Sequence, residues 1–378
     1  MTVGPMSKTA PAADRTLVTG VSTTPGLTGE QPFVPPRGPS NGSSRSGESF
    51  QFLQPLEFLP WLRPQIWGGR SLVRGRGENV KDDVLIGESW ELCGLADRGS
   101  VLRDAAAPPR LDELWTRHGG AWRGLQAAEK EFPWLIKRLE CRDWLSMQVH
   151  PDEQAARRHG TGVTGKFETW YIVATAPDAE ILIGPRAGVT REEIQRATTD
   201  PGEALSAWRP LLDSIRPSAG DFVVIPAGTI HTARGVELWE IQTPSEITYR
   251  LCDWGRLGFD GKPRELHVEK ACDAVNDWPH RAGVVPGVPL SSEGRRVLLE
   301  RPFRVEELSL GHSAVELPVN DLTVLCTVAG ECELLWDEGR LPLTEGSCIL
   351  LPAPLKKATL ASTGDPARIL SVTYPAER

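Results

Sequence analysis

The stretch Gly220-Asp-Phe-Val-Val-Ile-Pro-Ala-Gly-Thr-Ile-His231 decides the fold of this chain. The apolar run before the proline predicts a strand, and the Pro-x-Gly after it predicts a tight turn into a second strand. Glycine permits such a turn, so we expect His231 to begin the second strand facing the inside of a barrel. A lone histidine after a glycine turn is more often structural, so the rest of the chain must show whether it has a function.

Two segments supply candidate partners for His231. One is LSMQVHPD, which begins at Leu145, and the other is GKFETWY, which begins at Gly165. Alternate residues on a strand share a face. Each segment therefore presents three side chains to one side: Ser146, Gln148 and His150 in the first, and Lys166, Glu168 and Trp170 in the second.

Four of these side chains would converge if both faces point into the barrel: Gln148, His150, Glu168 and His231. They form a set of nitrogen and oxygen ligands without a thiolate, which suits Zn²⁺ or another borderline divalent ion. The alternative is that the four simply hydrogen-bond one another. Polar groups crowded inside a small barrel are costly without a task, so the pattern favours a metal.

The rest of the chain reads as short strands separated by glycine and proline turns, with few helices. One helix is predicted in PPRLDELWTRHG, and another after Thr190, which forms a capping-box pattern with Glu193. This second helical segment is predicted to run on through EALSAWRPLLDSI. Many short strands with helical insertions predict a mainly β protein built as a barrel or sandwich.

Three regions follow from the composition along the chain. Residues 1–50 are rich in Gly, Pro, Ser and Thr, which predicts a disordered tail. Residues 51–285 contain the candidate ligands and predict the catalytic domain with its helical insertions. Residues 286–378 repeat the strand–turn rhythm, and their stretch VAGECELLWDEGRLPLTEGSCILLPA contains no histidine, which predicts a second, metal-free barrel.

Composition limits the function classes. The formal net charge of −8, without a run of Lys and Arg, argues against nucleic acid as a partner. The seven scattered cysteines show no C-x-x-C pair and suit a reducing compartment. No apolar stretch is long enough to span a membrane and no secretion signal is recognisable, so we expect a cytoplasmic protein. We expect a monomer or a weak homo-oligomer.

Five motifs in a fixed order resemble the type I mannose-6-phosphate isomerases, which belong to the cupin superfamily. They are PQIWGG with GESWEL, then QVHP, GK-x-E-x-W, PAGT-x-H and finally EITYRLCDWGR. The segment LHVEKA also fits the shorter bacterial branch. The resemblance runs over residues 55–272 and is only architectural after about residue 290. It implies a cupin fold, a jelly-roll β-barrel with helical insertions, and the strand rhythm after residue 290 predicts a second barrel.

The resemblance also assigns site residues. It implies that Gln148, His150, Glu168 and His231 hold one zinc ion per chain. It gives Arg250 an essential role in catalysis and places Lys137 and Ser146 near the phosphate of the substrate. Strand alternation in EITYRLC further predicts that Glu246 and Arg250 share a face, and Lys166 lies on the side of Glu168.

The implied reaction interconverts mannose 6-phosphate and fructose 6-phosphate through a cis-enediol. It needs a base that reaches C1 and C2, and Glu246, Lys166 and a zinc-bound water are all candidates. Two departures from the family pattern are Glu246, where an Asp is usual, and Cys252, where a Tyr is usual. Two other functions are compatible with a cupin: a non-haem iron oxygenase, and a non-catalytic sugar-binding or regulatory protein.

Overall fold

The computed structural model describes residues 54–375, apart from 75–79, 97, 104–107, 127–128, 163, 200–203, 276–281, 286–287, 290–293 and 312. These residues belong to one compact unit, Pro32–Arg378. The predicted tail, residues 1–50, lies outside the described part of the chain.

Strands dominate the first part of the structure. In chain order they are β1 (Leu56–Leu59), β2 (Trp61–Gly69), β3 (Ile86–Cys93), β4 (Val101–Leu102), β5 (Leu135–Cys141), β6 (Met147–Val149), β7 (Glu168–Pro185), β8 (Leu212–Ile215), β9 (Phe222–Ile225), β10 (His231–Gln242), β11 (Tyr249–Cys252) and β12 (Gly283–Val284). His231 is the first residue of β10, as the glycine turn predicts.

The second part is also built of strands: β13 (Val288–Pro289), β14 (Arg295–Leu299), β15 (Arg304–Leu310), β16 (Val315–Val319), β17 (Thr323–Ala329), β18 (Cys332–Trp336), β19 (Gly339–Leu343), β20 (Cys348–Leu351), β21 (Lys356–Ser362) and β22 (Ala367–Thr373). The helices are α1 (Leu111–Trp122), α2 (Glu153–Arg158), α3 (Arg191–Thr198), α4 (Ala204–Trp208) and α5 (Val268–Ala274), with 3₁₀ turns at Ser71–Val73 and Ala353–Leu355.

The first predicted helix is confirmed as α1, and the second is confirmed only in part, by α3 and α4. Its predicted end is wrong, because Leu212–Ile215 pairs with β7 as strand β8. Thr190 caps α3 through the predicted box: its hydroxyl accepts from the backbone of Glu193, whose carboxylate accepts from the backbone of Thr190.

The strands form three sheets among the described residues. The ten-stranded sheet runs β12-β9-β7-β10-β5-β3-β2, with β6, β8 and β11 attached beside it. The eight-stranded sheet runs β13-β14-β15-β22-β17-β20-β1-β4, and the four-stranded sheet β16-β21-β18-β19. The fold is mainly β as predicted, but hydrogen bonding leaves all three sheets open rather than closed into barrels. The division at residue 285 stays a prediction, since β1 and β4 pair into the sheet that holds the C-terminal strands.

Two rows of paired residues give the ten-stranded sheet two different faces. One row crosses from β3 to β9 through Trp90, Lys137, Glu240, Trp170 and Val223. The adjacent row holds Arg138, Trp239, Tyr171 and Phe222. Directly opposed residues in antiparallel strands point to the same side, so the two rows point to opposite faces.

The face with Trp239 packs against the eight-stranded sheet. Trp239, Tyr171 and Phe222 belong to one buried cluster with Val305, Val324 and Leu370 of that sheet. Burying such side chains stabilises the fold by about 1.5 to 3 kcal/mol each. The opposite face carries Glu240 and Trp170 and does not pack against the eight-stranded sheet. We call it the free face.

In the part of the chain that the structure describes, we find no helix with both the length and the hydropathy that crossing a membrane requires.

Candidate active site

Three buried side chains gather on the free face of the ten-stranded sheet: His150, Glu168 and His231. Their potential ligand atoms all lie within 4.8 Å of one another, and they could hold a metal ion. Nε2 of His231 lies 3.0 Å from Oε1 of Glu168, and Nε2 of His150 lies 3.2 Å from Oε2. Two imidazole nitrogens thus point at the two oxygens of one carboxylate.

Local structure fixes where these residues lie. Glu168 begins β7 and His231 begins β10, opposite Gln148 on β6. His150 directly follows β6, and its carbonyl accepts a 2.7 Å hydrogen bond from the backbone of Gly228. Gly228 has a φ of +85°, which favours glycine in the turn before His231. The turn therefore docks one histidine-bearing segment on the other.

Backbone carbonyls fix the orientation of both rings. Nδ1 of His150 lies 2.9 Å from the carbonyl oxygen of Ile247, and Nδ1 of His231 lies 2.9 Å from that of Thr229. A carbonyl only accepts, so Nδ1 of each ring carries a proton, and in the neutral form of the ring Nε2 is left with its lone pair. This is the arrangement of metal-bound histidines, whose second nitrogen is held by an outer hydrogen bond.

The charges of the site favour an ionised Glu168 beside a neutral His150. Burial would raise the pKa of Glu168, but Lys166 and the two histidines hold it well below its ordinary value. Burial and the Lys166 ammonium lower the pKa of His150 to about 3. Both oxygens of Glu168 are buried and accept no well-aligned hydrogen bond, although Nζ of Lys166 lies 2.8 Å away. A carboxylate left in this state suits a cation as its partner.

Gln148 lies beside the histidines as predicted. Its amide nitrogen is 3.2 Å from Nε2 of His231, and its oxygen accepts a 3.1 Å hydrogen bond from the Ser146 hydroxyl. A half-turn of the amide exchanges its oxygen and nitrogen, and would present the oxygen to the same position. Ser146 thus contacts the predicted ligand set through Gln148.

Lys166 and Lys137 are joined by a carboxylate that the sequence did not single out. Nζ of Lys137 is 2.7 Å from Oε1 of Glu240, and Nζ of Lys166 is 4.0 Å from the same oxygen. The indole of Trp170 donates to the other oxygen at 3.1 Å. Burial would lower the pKa of Lys166, yet Glu168 and Glu240 together raise it. Glu240 therefore links both predicted lysines to the ligand set.

Glu88 is a second acidic residue that the sequence interpretation missed. It accepts hydrogen bonds from the indole of Trp90 at 2.6 Å and from Gln65 at 2.9 Å. Burial would raise its pKa, but Arg63 and Lys137 lower it. The available signal is strand alternation within the motif GESWEL, which puts Glu88 and Trp90 on one face of β3.

Arg250 lies next to the ligand set. It pairs with Gln148 across β11 and β6, and Gln148 in turn pairs with His231, so the three side chains share one face. The described residues give the Arg250 guanidinium no ion pair within 4 Å, and its Nε is buried without an acceptor. Burial and Arg264 lower its pKa. A free guanidinium thus faces the site.

Glu246 does not share a strand with Arg250, so the prediction from EITYRLC is wrong in this part. Strand β11 begins only at Tyr249. The preceding segment is held irregular because the amide of Gln242 donates to the carbonyls of Thr243 and Ser245. Glu246 forms ion pairs with Arg98 and, at 3.6 Å, with Arg63.

Comparison with known proteins identifies relatives. A family model for the catalytic domain of type I phosphomannose isomerases matches residues 62–169. Mannose-6-phosphate isomerase ManA of Bacillus subtilis (strain 168) is 32% identical over 311 residues, which are 79% of this chain and 93% of the relative. The crystal structure of the mannose 6-phosphate isomerase from Bacillus subtilis has a TM-score of 0.74 at 28% identity and covers 84% of this chain and 99% of that one.

A more distant neighbour shows the same fold. It is a structure of mannose 6-phosphate isomerase in a zinc-bound form, with a TM-score of 0.69 at 16% identity, covering 85% of this chain and all of that one. The fold and the site together define the class: this is an aldose–ketose isomerase of the cupin fold. The chain belongs to the type I mannose-6-phosphate isomerase family, as the 32% identity to ManA over 93% of that relative shows. The resemblance stated from the sequence is confirmed.

Proposed function

We propose that this chain is a zinc-dependent isomerase that interconverts mannose 6-phosphate and fructose 6-phosphate through a cis-enediol. The observation that carries the proposal is the buried trio of His150, Glu168 and His231, with both Nε2 atoms turned to one carboxylate. The names of the relatives agree with it, since ManA and the Bacillus subtilis structure are mannose 6-phosphate isomerases.

The residues fit a zinc ion. The orphaned oxygens of Glu168 and the Nε2 atoms of two histidines whose Nδ1 atoms are held by carbonyls are ligands of the type that Zn²⁺ prefers. Gln148 supplies a fourth ligand when its amide oxygen faces the trio. Zinc, when bound there, supplies a Lewis acid for the carbonyl and hydroxyl oxygens at C1 and C2.

Arg250 stabilises negative charge on the substrate. Its guanidinium shares a face with Gln148 and His231 and has no carboxylate partner within 4 Å among the described residues. A planar, permanently charged group at this position offsets the charge of an enediolate. Arg63 differs from Arg250 in this respect, because it forms ion pairs with Glu88 and Glu246.

Lys166 is the group of this chain best placed to move the proton between C1 and C2. Its Nζ lies 3.3 Å from Nε2 of His150, whereas the carboxylate of Glu246 is engaged by two arginines. The charges of Glu168 and Glu240 raise the pKa of Lys166. When Glu168 serves as a metal ligand, its charge is offset and raises the pKa of Lys166 less. Glu246 then acts indirectly, by holding Arg63 and Arg98.

The phosphate is assigned to the side of Lys137 and Ser146. Both are buried next to the ligand set, Ser146 through Gln148 and Lys137 through Glu240. Nζ of Lys137 also lies 5.2 Å from the centroid of the Trp90 ring, which keeps the ammonium on the free face. The partner of the protein is therefore a small sugar phosphate.

The test combines metal analysis with an assay on mannose 6-phosphate. Purified protein is expected to contain about one zinc ion per chain, to lose activity to a chelator and to regain it with zinc. A two-histidine, one-carboxylate set also suits iron(II), so iron is added in a parallel sample. Activity restored by iron alone, or no formation of fructose 6-phosphate with zinc, would contradict the proposal.

A further inference from the structure

The segment LHVEKA contains a histidine, His267, to which the proposed reaction has so far given no role. His267 is the residue that precedes helix α5, but its side chain does not cap that helix. The imidazole turns instead to strand β11, where it contacts the backbone of Arg250. It is mostly buried there, with 20% of its side chain exposed.

His267 binds both polar backbone groups of Arg250. The backbone N–H of His267 donates to the carbonyl of Arg250 at 2.8 Å, and the N–H of Arg250 donates to Nδ1 of His267 at 3.3 Å. A backbone N–H only donates, so Nδ1 holds the lone pair and the proton of the ring is on Nε2. This is the opposite tautomer to that of His150 and His231, whose Nδ1 atoms face carbonyls.

The surroundings of the ring favour this neutral tautomer. Burial lowers the pKa of His267, the carboxylate of Glu265 acts against burial, and the charges of Arg250 and Lys270 lower the pKa further. Nε2 of His267 lies 3.8 Å from Oε2 of Glu265, so the N–H of the ring points to the side of an acceptor. Nδ1 is thereby left free to accept from Arg250.

Arg250 depends on this contact because its strand is short and paired on one side. Strand β11 has four residues, and its partner among the described strands is β6, which has three. Arg250 lies opposite Gln148, and the register shifts between Arg250 and Cys252. Since both backbone groups of Arg250 are bound by His267, the pair with Gln148 is the kind without mutual hydrogen bonds, in which side chains lie closest.

Helix α5 gives His267 a firm base. Ala271 and Cys272 of this helix are buried in one apolar cluster with Leu251 of β11. The guanidinium of Arg191, the first residue of α3, donates to the carbonyl of Cys272 at 2.6 Å. The helix is therefore fixed both to the strand and to a second helix, and it holds His267 against the outer edge of β11.

We infer that His267 is a positioning residue for Arg250, which fixes the backbone from which the guanidinium reaches the substrate. The inference rests on the proposed function, in which Arg250 stabilises the enediolate. Such stabilisation requires a group that is held in place before the charge develops, so a displaced guanidinium is less effective. The charge develops in the transition state, and the loss should therefore appear in kcat rather than in KM.

The experiment compares two substitutions in the full-length, zinc-loaded protein. His267→Leu removes the acceptor for the Arg250 N–H, whereas His267→Asn keeps one, because Oδ1 of Asn and Nδ1 of His are both bonded to Cγ. His267→Leu should lower kcat about tenfold, less than loss of the guanidinium itself, and leave KM and zinc content nearly unaltered. His267→Asn should recover kcat to within about threefold. The control, His118→Leu on α1, should keep the kcat of the unaltered protein.

A double variant shows whether His267 acts through Arg250. His267→Leu should lower kcat no further when it is combined with Arg250→Ala, because two residues that act through one group are not additive. An equal loss of kcat in both backgrounds would overturn the inference. So would a near-normal kcat of His267→Leu in a protein whose unaltered form is active.

Folding and activity are kept apart by two further measurements. Thermal unfolding and zinc analysis accompany every variant, and His267→Gln replaces His267→Leu if the latter loses zinc. The amide of Gln lies one bond further from the backbone, so this variant should lower kcat where His267→Asn does not. Equal kcat values for Asn and Gln would contradict the role of Nδ1. Absence of isomerase activity in the unaltered protein would instead overturn the proposed function, and this inference with it.

Discussion

Two interiors of this molecule have similar strands and opposite chemistry. The free face of the ten-stranded sheet buries ionisable side chains: Lys137, His150, Lys166, Glu168, His231 and Glu240. The interior between the eight- and four-stranded sheets holds a cluster of aliphatic residues that includes Leu310, Leu334, Ile349 and Leu360. The sheets therefore provide the framework of both interiors. Among the described residues, it is the free face that carries the groups able to act on a substrate.

The polar interior is tolerated because its charges are matched. Glu240 lies between Lys137 and Lys166, and Glu168 lies between Lys166 and two imidazole rings. Removing one partner from such a buried set costs about 3 to 5 kcal/mol, because another charge is left without compensation. The aliphatic interior needs no such matching and stabilises the fold by burial alone.

The largest effect is expected from removing a ligand in the polar interior. His231→Ala deletes one Nε2 donor from the buried trio and should abolish zinc binding and lower kcat by at least about a thousandfold. Metal analysis and the mannose 6-phosphate assay measure both. His118→Ala on α1 is the control and should keep its zinc. Full zinc occupancy in His231→Ala would show that the ligand assignment is wrong.

The next effect separates charge stabilisation from structure. Arg250→Ala should keep zinc and thermal stability but lower kcat by about two orders of magnitude, as expected when a charge-stabilising group is lost. Arg250→Lys should recover little, because a point charge does not replace the planar guanidinium. Steady-state kinetics with metal analysis give the result. A folded, zinc-loaded Arg250→Ala protein with near-normal kcat would contradict the placement of the active site.

The sequence predicted the trio because its motifs fix both residue type and strand phase. QVHP places His150 directly after a short strand, and PAGT-x-H places His231 directly after a turn. At these positions no bulge has yet changed which face of the strand a side chain points to. Glu240 was missed for a physical reason. Counting alternate residues from His231 puts Glu240 on the opposite face, but Gly235, with a φ of +67°, lies where the pairing of β10 with β7 shifts register. The irregularity moves Glu240 to the face of His231.

Glu246 is the reverse case: it was predicted to share a strand face with Arg250, but it does not lie on that strand. Alternation through EITYRLC assumed a strand, but the side chain of Gln242 binds two carbonyls of the segment and keeps it out of the sheet. Such local competition between side chain and backbone depends on the folded path of the chain. Periodicity alone therefore predicted the position of Arg250 but not that of Glu246.

The third effect tests the aliphatic interior. Leu334 is fully buried on β18, so Leu334→Ala should lower the free energy of unfolding by about 2 to 5 kcal/mol through loss of burial and a cavity. Its kcat and zinc content should not change if this interior only stabilises. Leu341→Ala, on the paired and less buried residue of β19, should cost less. Urea unfolding, with parallel activity and zinc assays, measures both variants. Loss of zinc in Leu334→Ala would contradict the conclusion that the aliphatic interior only stabilises the fold.

The smallest effect concerns acid sensitivity and the loop after Arg250. Asp253 accepts from Arg264 at 2.7 Å and Arg256 at 2.8 Å. Burial would raise its pKa, but these arginines lower it below the ordinary 3.8. A depressed carboxyl pKa adds stability above the unfolded-state value, and this contribution is lost as pH falls through the folded-state value. Asp253→Asn should therefore cost about 1.5 kcal/mol of unfolding free energy at pH 7, and the difference should shrink below about pH 4.

Urea unfolding at several pH values between about 7 and 3 measures this difference for Asp253→Asn. The control is Asp337→Asn, because Asp337 is exposed and lies 3.7 Å from Lys357 in the C-terminal part. An exposed pair contributes little, so this variant should follow the unaltered protein at every pH. A constant deficit for Asp253→Asn across the range would mean that packing rather than charge makes Asp253 stabilising. Acid sensitivity would then be assigned to other carboxylates whose pKa values are also lowered, among them Glu168 and Glu88 of the catalytic face.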